Sequence, residues 1–174
     1  MASVAMVVDY YSTEPVSVNK MLTQAIESGA YLQSAGWTHK GLVQLAKKYG
    51  LDGNAYDLTN SSQKVAFDTF KTKLKDGPVI VSVHYKFDPK STIPHLVVID
   101  GIDKDFVYYN DPAASGGLKK ISTADFLKAW KQKFIVIRPL ETKKVAIVEA
   151  TNTGFFARFF SVSFGDQFKN GNLT

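Results

Sequence analysis

At 174 residues and 19.2 kDa the chain is long enough for one domain with a real hydrophobic core. Its 45% hydrophobic and 21% charged residues exclude a mainly disordered chain, and no apolar run approaches the ~18–20 residues of a membrane span. Lys and Arg exceed Asp and Glu by 21 to 16, and the resulting +5, spread along the chain, is too slight to point to nucleic acid. There is no cysteine, which excludes disulfides, thiolate metal sites and, within these residues, a cysteine nucleophile.

The chain opens on an apolar run, Met1 to Val8, that ends at Asp9 with no basic segment before it, so it does not read as a secretory signal. Val4, Val7, Val8 and Tyr11 fall at i, i+3, i+4 and i+7, the stripe of a buried helix face. Two readings fit: a helix capped by Ser3, or a helix already in mid-course at Met1. A second helix follows Ser17, with Val18, Met21, Leu22, Ala25 and Ile26 inward and Gly29 as its stop. A third follows Thr38, burying Leu42, Leu45, Ala46 and Tyr49 and closing at Gly50. Ser61 or Ser62 opens a fourth, carrying Ala66, Phe70 and Leu74 to Asp76-Gly77.

The second half turns to strands. Pro78 to His84 (PVIVSVH) is rich in β-branched residues and begins at a proline, which suits a first strand position. His95 to Asp100, Phe106 to Asn110 and Phe134 to Ile137 follow, with Ile102 to Asp105 as a hairpin connection. Between them Ser122 and Asp125 form a capping-box-like start to a fifth helix that buries Phe126, Leu127 and Trp130. Helices first and an antiparallel sheet afterwards is the α+β pattern. Beyond Pro139 the texture changes: Lys143 to Glu149 reads as one more strand, and Phe155, Phe156, Phe159, Phe160 and Phe164 place five of the 12 phenylalanines within ten residues. At helical spacing they form one aromatic face, either packed on the domain or presented to a partner or a membrane surface.

Three histidines are present, His39, His84 and His95, with no metal-ligand spacing among them, and no glycine-rich phosphate loop accompanies them. No metal or cofactor is expected. His95 starts a strand, and Asp111 follows the next strand in Asn110-Asp111-Pro112. Two antiparallel neighbours joined by a hairpin can set an imidazole beside a carboxylate, the base and orienter of a catalytic triad. The same residues also suit a structural histidine and a plain Asp-Pro turn. His84 at a strand end and the Trp37/His39 pair are further candidates to line a groove, with structural roles as the alternative.

The stretch GPVIVSVHYKF, PHLVVIDGID, FVYYNDPA and ISTADFLKAWKQKFIVIRP, spanning Gly77 to Pro139, resembles the second half of a papain-like cysteine peptidase of the bacteriocin-processing, C-thirty-nine-like group. His95-Leu96-Val97-Val98 matches that group's histidine motif, Asp111-Pro112 its aspartate motif, and Gly36 to Leu42 the loop and helix between the halves. The resemblance implies a papain-like fold with N-terminal helices packed on an antiparallel sheet. It also implies His95 as general base and then acid, Asp111 as its orienter, and a peptide or protein substrate, with a double-glycine leader as one candidate. A C-thirty-nine-like domain is expected over residues 1–139, with residues 140–174 as a C-terminal extension.

The departure lies at the start. Ala2-Ser3 aligns with the Ala-Ser of the group's Cys-Gly-Pro-Ala-Ser motif, which puts the nucleophile about two residues before Met1 and the oxyanion glutamine earlier still. Ser3 lies about one helical turn beyond that place and is a poor substitute. Two functional readings follow: a cysteine-peptidase domain that is inactive without its thiol, or a non-catalytic module that holds a peptide in a degenerate cleft. Without a signal or a span the chain reads as cytoplasmic, while residues ahead of Met1 would allow a secreted or membrane-anchored setting. Asn60-Ser61-Ser62 and Asn172-Leu173-Thr174 fit the glycosylation pattern but lack a signal sequence to support it.

Overall fold

Every inner position of the strand Val79–His84, β4, is apolar apart from Ser82, and the fold explains why: β4 is central and covered on both faces. The computed structural model describes residues 1–33 and 36–140. The helices are α1 (Ala2–Tyr11), α2 (Val18–Glu27), α3 (His39–Lys47), α4 (Gln63–Leu74) and α5 (Thr123–Ala129). The strands besides β4 are β1 (Tyr31–Leu32), β2 (Gly36–Trp37), β3 (Leu51–Asp57), β5 (Pro94–Ile102), β6 (Phe106–Asn110), β7 (Lys119–Ser122) and β8 (Trp130–Pro139). β1 and β2 make a small hairpin, and the other six form one antiparallel sheet in the order β3-β8-β4-β5-β6-β7.

Strand alternation sorts the core into two halves. Ile80, Val98, Ile135 and Ile137 face α1, α2 and α3, where Val4, Val7, Val8, Met21, Leu42 and Leu45 pack. Val79, Val81, Val83, Val97, Ile99 and Val107 face α4 and α5, against Phe70, Phe126, Trp130 and Phe134. Phe70 stacks on Phe126 at 5.9 Å and lies 5.4 Å from Trp130, so this half is largely aromatic. The α+β architecture agrees with the sequence, and so do the caps. Ser17, Thr38, Ser62 and Ser122 each accept a first-turn N–H.

Two expectations need correction, and two strands are added. Ser3 is not a cap: α1 begins after Met1, and the Ser3 hydroxyl donates instead to the Leu96 carbonyl at 2.7 Å. Trp130 does not belong to α5, because its backbone is extended (φ −75°, ψ 129°) and opens β8, although its ring still stacks on Phe126 at 5.7 Å. β3 and β7, unforeseen from the residues, are the two edge strands, where a single neighbour and an exposed flank leave little apolar pattern to read. α4 and α5 cover the other face of the sheet. The expected strand at Lys143 to Glu149 and the Phe155–Phe164 face lie outside the described residues.

Arg138 closes the turn between α4 and β4. Its Nη1 donates to the Pro78 carbonyl at 2.7 Å and its Nη2 to those of Lys73 and Gly77 at 2.9 Å, collecting backbone acceptors at the helix end. Gly77 has φ 126°, and a Cβ there would come within 2.4 Å of the Tyr11 hydroxyl, so both conformation and space require glycine.

Candidate active site

Where the helical layer meets the ends of β4 and β5, a cleft of about 570 Å³ opens. The start of α1 (Met1, Ala2, Ser3), Leu22 of α2, and Trp37 and His39 form one wall. Ser82, Pro94, His95 and Leu96 form the other, and the loop from Pro112 to Ser115 closes the end. Its volume falls within the usual ~300–1,000 Å³ of ligand sites, and its lining is mainly apolar with few polar groups.

Sequence and register bring the first polar pair together. β5 and β6 are antiparallel neighbours, with Val98 opposite Asn110, so the residue after β6 reaches back toward the start of β5. There His95 Nε2 meets Asp111 Oδ1 at 2.7 Å, with side chains only 15% and 13% exposed. The loop itself is pinned, since Asp111 Oδ1 also accepts the Ala113 N–H at 2.9 Å. Burial on its own raises the Asp111 pKa, but the His95 hydrogen bond, the Ala113 N–H and the charges of His95 and Lys119 outweigh it and hold the carboxyl below its ordinary value. An ionised carboxylate only accepts, so Nε2 carries the proton, and the lone pair of the neutral ring lies on Nδ1. That nitrogen has no hydrogen-bond partner among the described residues. Tyr85 stands edge-on to the imidazole at 5.3 Å and fixes its tilt.

The positive end of α1 opens into the same cleft. The Ser3 hydroxyl, spent on the carbonyl of Leu96, ties this helix start to the residue that follows His95. The Ser3 hydroxyl hydrogen is thus directed at a main-chain carbonyl and not at His95. α3 can approach because Gly41 has no side chain: a Cβ there would meet Ala30 Cα at 2.5 Å and Thr38 Oγ1 at 2.6 Å.

Of the other sequence candidates, Trp37 is half-buried on the cleft wall, edge-on to Tyr31 at 5.0 Å. His39 lines the cleft and hydrogen-bonds Ser82 Oγ at 2.8 Å through Nε2. Burial, and then the charge of Lys133, lower the His39 pKa against the opposing pull of Asp57. His84 is not in the cleft; its Nδ1–H donates to the Ser91 carbonyl at 2.6 Å and ties down the loop after β4. Ser82 escaped notice in the sequence, yet a single hydroxyl within the apolar run VIVSVH was the available signal. Among the described residues no group of three or more His, Cys, Asp or Glu can hold a metal, and no helix is long and apolar enough to cross a membrane.

Comparison with known proteins decides the family, since the Peptidase_C39 like family matches residues 1–134. The chain belongs to that family. Among curated relatives, the pediocin PA-1 transport/processing ATP-binding protein PedD of Pediococcus acidilactici is 27% identical over 139 residues. That stretch is 80% of this chain but only 17% of PedD, so the chain spans about a sixth of that relative's length. The peptidase domain of Streptococcus ComA, described as a bifunctional ABC transporter involved in quorum sensing, superposes with a TM-score of 0.58 at 21% identity, over 80% of this chain and 90% of that one. A double glycine motif protease from an AMS/PCAT transporter, solved with its leader peptide, gives 0.55 at 23%, over 79% and 81%. These structures establish the papain-like fold. The chain has no cysteine among its 174 residues.

Proposed function

We propose that the cleft binds an extended peptide, and that His95 and Asp111 are the base and orienter of a papain-type cysteine peptidase site that these 174 residues leave without a thiol. The observation that carries this reading is the 2.7 Å bond between His95 Nε2 and Asp111, which leaves Nδ1 as the basic nitrogen in a cleft shared with the start of α1. A thiol at a helix N-terminus beside an imidazole ionises readily, because the helix dipole and the imidazolium both stabilise the thiolate. The start of α1 therefore suits a cysteine nucleophile, with Nδ1 taking its proton and later passing it to the leaving amine. Without the thiol nothing can be acylated, and the chain holds peptides without cutting them by this route.

The mainly apolar lining, together with the relatives, supports the substrate class. A peptide with small residues at its centre, such as a leader ending in Gly-Gly, lets its main chain approach both walls. Trp37, on the wall, supplies the signal. A synthetic Gly-Gly leader peptide is expected to change tryptophan fluorescence saturably in the 174-residue chain and to emerge uncut. Prepending Met-Cys-Gly to Met1 is expected to create a thiol alkylated by iodoacetamide at pH 6 faster than free cysteine. His95→Ala should remove that excess reactivity. An added cysteine no more reactive than free cysteine would overturn the catalytic assignment, and the absence of saturable binding would overturn the peptide cleft.

A further inference from the structure

His39 and Ser82 are a second polar pair in the cleft, which the acid–base chemistry of His95 and Asp111 does not use. They come from distant parts of the chain. Thr38 caps α3 and sets His39 at its first helical position, and Ser82 is the hydroxyl in the apolar centre of β4. Ser82 is only 6% exposed, and its sole partner among the described residues is His39 Nε2 at 2.8 Å. A buried hydroxyl in a central strand is costly unless it is bonded, and a valine would pack there at less cost.

The hydrogen-bond inventory of the pair is fixed whichever way the proton lies. If Ser82 donates to Nε2, the ring keeps an N–H on Nδ1 and the hydroxyl keeps its lone pairs. If Nε2–H donates to Ser82, the hydroxyl keeps its hydrogen and Nδ1 keeps a lone pair. Either way one donor and two acceptor sites remain unspent. The ring is neutral, because burial and Lys133 disfavour the imidazolium and the first turn of a helix repels a cation. Lys133, on β8, is itself paired with Asp57 of β3 at 2.9 Å, so no free charge competes at this spot. Around the pair, Leu22 and Leu96 offer apolar contact and Trp37 adds its ring and one indole N–H. The Ser3 hydroxyl beside them is already spent on Leu96.

The geometry points to His39 and Ser82 as a specificity site that hydrogen-bonds a main-chain amide of the bound peptide away from the reacting bond. A neutral donor–acceptor pair matches the N–H and C=O that an extended peptide loses from water on entering an apolar cleft. Side-chain carboxylates and ammonium groups find no counter-charge here and are disfavoured. The inference rests on the peptide reading of the cleft.

The test is an ester scan. In the Gly-Gly leader peptide, each amide in turn is replaced by an ester, which removes the N–H and weakens the carbonyl acceptor. Affinities are measured by calorimetry for the unaltered chain, Ser82→Ala and His39→Phe. One ester position is expected to lose about 2–10-fold in affinity with the unaltered chain, the worth of one hydrogen bond. The same position should lose nothing further with either variant. The His39 ring nitrogen resonances are expected to shift on saturation, a readout that a purely structural pair would not give. Ser82→Thr, which keeps the hydroxyl, should restore the ester effect. If no ester position distinguishes the variants from the unaltered chain, or the His39 resonances stay fixed at saturation, the inference is overturned while the peptide cleft stands. If the unaltered chain binds no peptide, both fall.

Discussion

Replacing Asp111 by Asn keeps one oxygen where the carboxylate stood, turns the other into an amide NH2 and removes the charge. In the folded protein that carboxylate accepts from His95 Nε2 at 2.7 Å and from the Ala113 N–H at 2.9 Å, with 13% of its side chain exposed. A charge-assisted hydrogen bond contributes roughly 1.5–3 kcal/mol and a neutral one roughly 0.5–1.5, so Asp111→Asn should cost about 1 kcal/mol at pH 7. Asp111→Ala abandons both donors and should cost about 2–3 kcal/mol. For a domain of this size each kcal/mol lowers Tm by roughly 2–8 °C. The pH dependence gives the sharper check. Because the Asp111 pKa is lowered on folding, its contribution is complete above the unfolded value of about 3.9 and is lost as pH falls through the lower folded value. Urea unfolding followed by circular dichroism at pH 7, 5, 3 and 2 measures the gap between the unaltered chain and Asp111→Asn. The gap should be full at pH 5 and should narrow as pH falls from the unfolded value toward 2. Other carboxylates titrate in both proteins and cancel in the difference. A gap that persists undiminished to pH 2, or that is absent at pH 7, refutes the ionised pair.

Asp100 should behave in the opposite sense. Burial raises its pKa to about 6 against the bond from Asn110, so ionising it in the fold is a penalty that sets in above pH 4 and is complete above pH 6. Asp100→Asn should therefore raise stability at pH 7 by ~1–3 kcal/mol and do nothing at pH 4, measured by the same urea titration. Phe70→Ala empties the centre of the aromatic half and should cost about 3–5 kcal/mol, read as a fall in Tm. Gly77→Ala forces a side chain onto φ 126° and the Tyr11 hydroxyl; chemical denaturation should show a loss of about 1–3 kcal/mol.

How much of this was legible depended on distance along the chain and on depth in the fold. The helix starts were readable because a cap acts within three residues: Ser17, Thr38, Ser62 and Ser122 signal their own helices. β4 was readable because both its faces are buried, which forces an apolar run. β3 was not, since Asp52 and Asn54 sit exposed on an edge with one neighbour, and Gly53, where a Cβ would run into the Val136 carbonyl, interrupts any apolar alternation. Trp130 misled because its ring packs as a continuation of α5 would, although its backbone has already turned into β8. His95 and Asp111 lie 16 residues apart across one hairpin, so local pairing predicts their meeting. His39 and Ser82 are 43 residues apart and join only when α3 docks on the sheet, which no local pattern encodes.

The Ser3 hydroxyl bond to the Leu96 carbonyl has a mechanical consequence. It couples the mouth of α1 to the strand that carries His95, so the helix cannot drift from that strand and widen the cleft without losing the bond. The gap of the cleft is set instead from behind, by how Val4, Val7 and Val8 seat against Met21, Leu42 and Leu45. A methyl group gained or lost in that remote layer would be felt at His95 as a change of aperture, with the active-site residues themselves untouched.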